Sequence, residues 1–183
     1  MKQLTNSVLI LMFLCLSATM ANATVVITLD NVPDNIGQGQ SWSEAGANMN
    51  MSGSFGVDND NTDPDGVWLY PAMLTVNFGD IDSLSDMPVN IEIDVYDYTG
   101  IGALTAVLYD DEGFLAKTSN TTTSGLETLY LSGPAGANQI LINGYESFID
   151  EIRITPVPVP GAALLLGFGL LGLAGIKRGT GRG

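Results

Sequence analysis

Between Thr24 and Thr155 apolar and polar residues alternate with the period of a strand, and no stretch of 12 residues carries a helical stripe. Ile91-Glu92-Ile93-Asp94-Val95-Tyr96 is the clearest case: it predicts a strand with Ile91, Ile93 and Val95 on one face and Glu92, Asp94 and Tyr96 on the other. Val25–Leu29, Val67–Tyr70, Met73–Phe78, Leu104–Tyr109, Phe114–Lys117, Thr128–Leu131, Gln139–Ile142 and Ile149–Ile154 read as further strands. In the last of these Ile152 and Ile154 face inward, and Glu151 and Arg153 face outward. Asp110-Asp111-Glu112-Gly113 is a hairpin signal, with glycine at the position that tolerates positive φ. About eight short strands separated by turn signals predict an all-β fold, an antiparallel β-sandwich of jelly-roll type.

Charge narrows the partners. All 20 acidic residues fall within 24–155, against Lys117 and Arg153 alone, so this region carries −18 where the whole chain carries −14. Such a surface repels phosphate backbones, which excludes nucleic acid as a partner. The apolar residues are numerous and alternate, as a folded domain of this length requires and a disordered acidic chain does not. The chain has no histidine and a single cysteine, Cys15. His-dependent triads and His-ligated zinc are therefore out, and the domain forms no disulfide and offers no thiol nucleophile.

Candidate chemistry is sparse. Asp58-Asn59-Asp60-Asn61-Thr62-Asp63-Pro64-Asp65-Gly66 brings hard oxygen donors onto a glycine-terminated loop, and Asp58, Asp60, Asp63 and Asp65 are candidate ligands for a structural Ca²⁺. Read as an EF-hand from Asn61 the loop fails, because Ala72 stands where the bidentate glutamate belongs. A solvated turn rich in Asp and Asn explains the same residues. Glu92 and Asp94 lie roughly 6.5–7 Å apart by strand rise, a spacing that glycosidase carboxylates use. Their alternation with Ile91 and Ile93 instead predicts a solvent face. Trp42, Trp68, Tyr70, Tyr96 and Tyr98 are the aromatics able to stack on a sugar ring, and Trp68 and Tyr70, beside the Asp-rich loop, are the favoured pair. Gly167-Phe168-Gly169-Leu170-Leu171-Gly172 matches the dinucleotide fingerprint only formally, since prolines rather than a strand precede it. Asn50-Met51-Ser52 and Asn120-Thr121-Thr122 fit the glycosylation sequon.

Both ends read as addresses. Lys2, the apolar run Val8–Leu16 and the small residues Ala21-Asn22-Ala23 form a signal peptide, residues 1–23, which signal peptidase would remove to leave Thr24 first. Cys15 is no lipoprotein site, because Leu14 precedes it where a small residue is needed. At the other end, residues 156–183, Gly161–Ile176 gives 16 residues without charge. As a helix this spans roughly 24 Å, short of the about 20 residues that a bilayer core asks for. It predicts a single short transmembrane helix that crosses by local thinning, and a plain anchor or a core helix is the other reading of such a run. Lys177, Arg178 and Arg182 place the C terminus inside and the domain outside. Pro156, Pro158 and Pro160 favour an extended approach to the membrane.

The order Val157-Pro158-Val159-Pro160-Gly161-Ala162, then Leu164 to Ile176, then Lys177-Arg178 resembles the PEP-CTERM sorting tail of Gram-negative bacteria, in its Val-Pro-x-Pro variant. The resemblance implies an exosortase, an integral-membrane cysteine protease, that cuts near the proline motif (157–160) and sends the product to the cell surface. It also implies that the inner membrane holds the chain only transiently. Within the domain, Ile27–Val32 and Phe148–Ile154 resemble the paired edge segments of galactose-binding-like and other secreted carbohydrate-binding sandwiches. Together these imply a non-catalytic, acidic cell-surface or matrix protein, structural or adhesive among exopolysaccharide. The alternative is a carbohydrate-binding module for that exopolysaccharide, with or without calcium.

Overall fold

Ten strands, all antiparallel in their pairings, are present among the described residues: β1 (Val25–Ile27), β2 (Ser41–Glu44), β3 (Ala47–Asp58), β4 (Gly66–Asn77), β5 (Val89–Asp97), β6 (Ala103–Asp110), β7 (Gly113–Ser119), β8 (Gly125–Gly133), β9 (Gln139–Tyr145) and β10 (Ser147–Pro156). The computed structural model describes residues 23–157 apart from 31, 34, 35, 59–65, 85, 98–101 and 121–123. Ala21, the expected membrane helix, Pro158, Val159, Pro160, Lys177 and Arg178, the acids Asp60, Asp63 and Asp65, and Tyr98 all lie outside the described residues.

The strands follow the alternation. Ile91, Ile93 and Val95 are buried on β5, as are Ile152 and Ile154 on β10, and Glu92, Asp94, Glu151 and Arg153 take the opposite face. The β6–β7 hairpin turns where expected: Asp110 Oδ1 accepts from the backbone N–H of Glu112 (2.9 Å) and Gly113 (2.8 Å), and Gly113 has φ 137°. The β2–β3 hairpin was not expected. It turns on Ala45–Gly46, with φ of 49° and 86°, a primed turn for which Asn-Gly is the usual signal. Its inner face is Ala47, Met49 and Met51, residues of weak strand preference set between asparagines.

The sheet runs β7-β6-β9-β4-β10-β5-β8, with β3 along the outer edge of β4, β2 on β3, and β1 on β10. β9 and β10 form one long chain segment against β4. Ala72 pairs with Gly144 and Leu69 with Ser147, so the register continues unbroken past Glu146, the single residue between the two strands. Glu146 adopts φ 51°, and there the edge away from β4 changes partner: β9 pairs with β6, whereas β10 pairs with β5, and β1 continues the β4 edge of β10. The same level is irregular in every strand it crosses. On β4 burial slips at Tyr70–Pro71, both exposed between buried Leu69 and Ala72. On β3 the register shifts between Gly53 and Phe55, and Gly53, at φ 96°, lies so close that a Cβ would stand 2.6 Å from the Pro71 carbonyl.

Gly53–Ser54, Tyr70–Pro71 and Tyr145–Glu146 thus form a fold line along which the sheet doubles back. Pro71 is tolerated inside a sheet because a bulge frees its missing N–H from the ladder. The halves enclose a core that includes Leu69, Leu74, Phe78, Ile91, Ile93, Leu104, Ile140, Ile142, Ile152 and Ile154, each at most 1% exposed. The end strands β7 and β8 pack against one another, which brings the sandwich close to a barrel.

Candidate functional site

Pairing registers put four rows of side chains on the outer face of the β1–β10–β5–β8 half. Nearest the fold line runs Gly56 (β3), Trp68 (β4), Phe148 (β10), Tyr96 (β5) and Leu126 (β8). Next come Glu151, Asp94 and Thr128, then Val26, Arg153, Glu92 and Tyr130, and last Thr155, Asn90 and Ser132. The face therefore grades from aromatic, through charged, to hydroxyl-bearing along the strands.

The aromatic end has definite geometry. The rings of Trp68 and Tyr70 are nearly parallel, 12° apart with centroids at 5.8 Å, and Trp68 meets the ring of Phe148 edge-on at 5.3 Å. Phe148 is fully covered, Trp68 is half-buried, and Tyr70 is 42% exposed. Gly56 on β3 lies beside the pair: a Cβ there would stand 3.8 Å from Trp68 Cβ and from Tyr70 Cε2, an ordinary van der Waals contact. Two aromatics side by side present a broad polarisable surface of the kind on which the C–H face of a sugar ring stacks.

The charged rows centre on Arg153. Its Nε donates to Glu92 Oε2 (2.8 Å), and its Nη1 donates to Asp94 Oδ2 (2.7 Å) and to Glu151 Oε1. Thr128 Oγ1 donates to the other Asp94 oxygen at 2.6 Å. The guanidinium pKa is driven above the ordinary arginine value, first by the hydrogen bond to Asp94 and then by that to Glu92. Glu92 and Asp94, the carboxylates at glycosidase spacing, thus both bind one arginine on an outer face.

The favoured pair Trp68 and Tyr70 is brought together. Trp42 is not part of it: it packs into the core from β2, 8% exposed. Asp58 ends β3 opposite Gly66, so a paired stem closes the segment 59–65 two residues from Trp68. No group of three metal-ligating side chains occurs among the described residues. Sequence reasoning passed over Tyr130 and Leu126, each 66% exposed on β8. The signal was present in the phase, since Tyr130 stands between inward Leu129 and Leu131. It also missed a cleft of about 330 Å³ between Gly79, Asp80, Asp111, Gly136, Ala137 and Asn138, where Asn138 Nδ2 donates to Asp111 Oδ1 at 2.6 Å.

The chain matches no protein-family model and no curated protein. Among solved structures it is similar to the C-terminal CBM6 of the marine laminarinase LamC from Zobellia galactanivorans, at 18% identity over 73% of this chain and 99% of that one, TM-score 0.44. It is also similar to the carbohydrate-binding module CBM36 in complex with calcium and xylotriose (14% identity, 70% and 98% covered, TM-score 0.44). A further similar structure is TmCBM61 in complex with β-1,4-galactotriose (14% identity, 60% and 88% covered, TM-score 0.46).

Proposed function

We propose that this is an exported surface module whose outer sheet face binds a polysaccharide without catalysis, delivered by a tail that an exosortase cuts. The observation that carries the binding role is the parallel Trp68–Tyr70 pair, exposed at Tyr70. Exposed Tyr130 and the polar rows between supply the hydroxyl, carboxylate and guanidinium partners that sugar hydroxyls require. A domain carrying −18 suits a neutral polymer better than an anionic one. Sorting rests on the order of proline motif, apolar run and basic end, and export on the leader before Thr24. Calcium at Asp58, Asp60, Asp63 and Asp65 belongs to the same proposal, supported by the stem that joins Asp58 to Gly66.

The test is affinity electrophoresis of the mature domain in gels cast with neutral bacterial exopolysaccharide, xylan or β-glucan, run with calcium and with chelator. The expected result is retardation by at least one polymer that Tyr70→Ala abolishes while the melting temperature is kept. Unretarded migration in all of them would leave a purely structural matrix protein.

A further inference from the structure

We infer that the outer face of the β2–β3–β4–β9–β6–β7 half docks a second copy of this chain. The inference goes beyond polysaccharide binding and shares no residue with the Trp68–Tyr70 face. Pairing registers set three rows of outward side chains across these strands. The first runs from Ser43 through Asn48, Asn77, Gln139 and Tyr109 to Phe114. The second runs from Ser41 on β2 to Lys117 on β7, and the third from Ser52 on β3 to Ser119 on β7. Residues 24–155 contain 20 acidic side chains, yet no position in the three rows is acidic, and Lys117 is their single charge.

A net charge of −18 holds copies of the domain apart. Two copies can approach closely only where both lack carboxylates, and this face meets that condition against itself. A neutral glycan gives no reason for the gap, because carboxylates accept hydrogen bonds from hydroxyls and the opposite face keeps Glu92, Asp94 and Glu151. Depletion of charge is also what marks the core of a protein interface.

The remaining chemistry is self-matching. Asn, Gln, Ser and Thr side chains each donate and accept, so the face can bond to its own image, as a two-fold interface requires. An apolar diagonal crosses it from half-buried Met73, Leu141 and Val107 to Tyr109, whose ring meets that of Phe114 edge-on at 6.4 Å. Phe114 is 62% exposed. Strand spacing and rise give the three rows roughly 25 by 15 Å between outermost Cα atoms. That is small beside the roughly 800 Å² per partner of a stable interface, so the pairing is weak and depends on concentration.

Sedimentation equilibrium of the full chain in nonionic detergent tests this. A monomer–dimer equilibrium is expected, and it should tighten several-fold from about 0.1 M to about 1 M salt as the Debye length falls from about 10 to about 3 Å. Asn77→Asp keeps the oxygen that accepts from Gln139 Nε2 at 2.7 Å and adds only charge. Combined with Asn143→Asp on β9, it should raise the dimer Kd about tenfold at about 0.1 M salt, since like charges then face one another. Asn90→Asp, a like change on the opposite face that keeps the acceptor for Ser132 Oγ, should leave the dimer as it was. Monomer at every concentration and salt overturns the inference, as does a dimer that the Asn77→Asp/Asn143→Asp variant leaves intact. Loss of retardation by a neutral polysaccharide in that variant, with wild type monomeric throughout, would assign the face to glycan instead. Loss of retardation in Tyr70→Ala alone, with the dimer kept, separates the two readings.

Discussion

Arg153 Nη1 lies 2.7 Å from Asp94 Oδ2, and Thr128 holds the other Asp94 oxygen, so one carboxylate links β10, β5 and β8. Arg153 is 28% and Asp94 14% exposed, which makes this more than a surface ion pair. Arg153→Met leaves Glu92, Asp94 and Glu151 facing one another and is expected to cost about 2–3 kcal/mol in urea unfolding. The loss should shrink in about 1 M salt, where the Debye length is about 3 Å. A pKa raised by folding stabilises fully below the unfolded value and is lost only as pH climbs through the folded one. For Arg153 that window opens above the ordinary arginine value, far into the alkaline range, so its charge adds no pH slope to stability near neutrality.

The Ala45–Gly46 turn holds an alanine at φ 49°. Ala45→Asn supplies a residue that tolerates this conformation, and the expected gain is about 0.5–1 kcal/mol, read from the urea midpoint at unchanged slope.

Gly53 is the tightest point of the fold line. Gly53→Ala forces a Cβ against the Pro71 carbonyl and strains a positive φ, with an expected loss of about 2–4 kcal/mol. The same substitution at Gly136, which has φ 92° and open space around it, should cost less. Equal losses at the two positions would mean that the backbone strain alone, and not the close approach, sets the cost.

Trp68 and Tyr70 should separate stability from binding. Trp68→Ala removes the ring that packs on buried Phe148, and about 2–3 kcal/mol of stability should go with it. Tyr70→Ala should change stability by less than about 1 kcal/mol and lower polysaccharide affinity by about tenfold, an effect within the range of a lost aromatic stacking contact. Scanning calorimetry beside the gel assay reads both.

If the loop following Asp58 binds calcium, saturation at about 100 times Kd raises unfolding free energy by about 2.7 kcal/mol. The melting temperature should rise with calcium, fall back with chelator, and stop responding in a variant with Asp60, Asp63 and Asp65 changed to asparagine. A melting curve unmoved by calcium would assign the loop to solvent.

Much of the sheet was legible because burial writes a period of two into the chain, and β5 and the end of β10 show it without interruption. β2 and β3 were hidden by composition: methionine and alanine fill the inner positions, and Ala-Gly replaces Asn-Gly at the turn. β4 was read as two strands since Pro71 interrupts it and the phase slips there. That break is real in side-chain phase, although the backbone ladder passes through it. Trp68 and Tyr70 were found as neighbours in sequence. Arg153 was placed outward correctly, but its partners Glu92 and Asp94 lie 61 and 59 residues away, and only the β5–β10 register brings them together. Tyr130 and Leu126 join the same face through the β5–β8 register, which no local pattern states.

β10, last of the strands among the described residues, is flanked by β5 on one edge and by β4 and then β1 on the other. The ribosome therefore delivers the keystone last. The half built of β7, β6, β9, β4, β3 and β2 is complete by Tyr145, but nothing made before Ser147 joins β5 and β8 to it, so the second half must await β10. Such late, long-range pairing is slow by topology. The waiting chain is exposed to aggregation while its central edge lacks a partner, and its dense negative charge is the feature that keeps neighbouring copies apart in that interval.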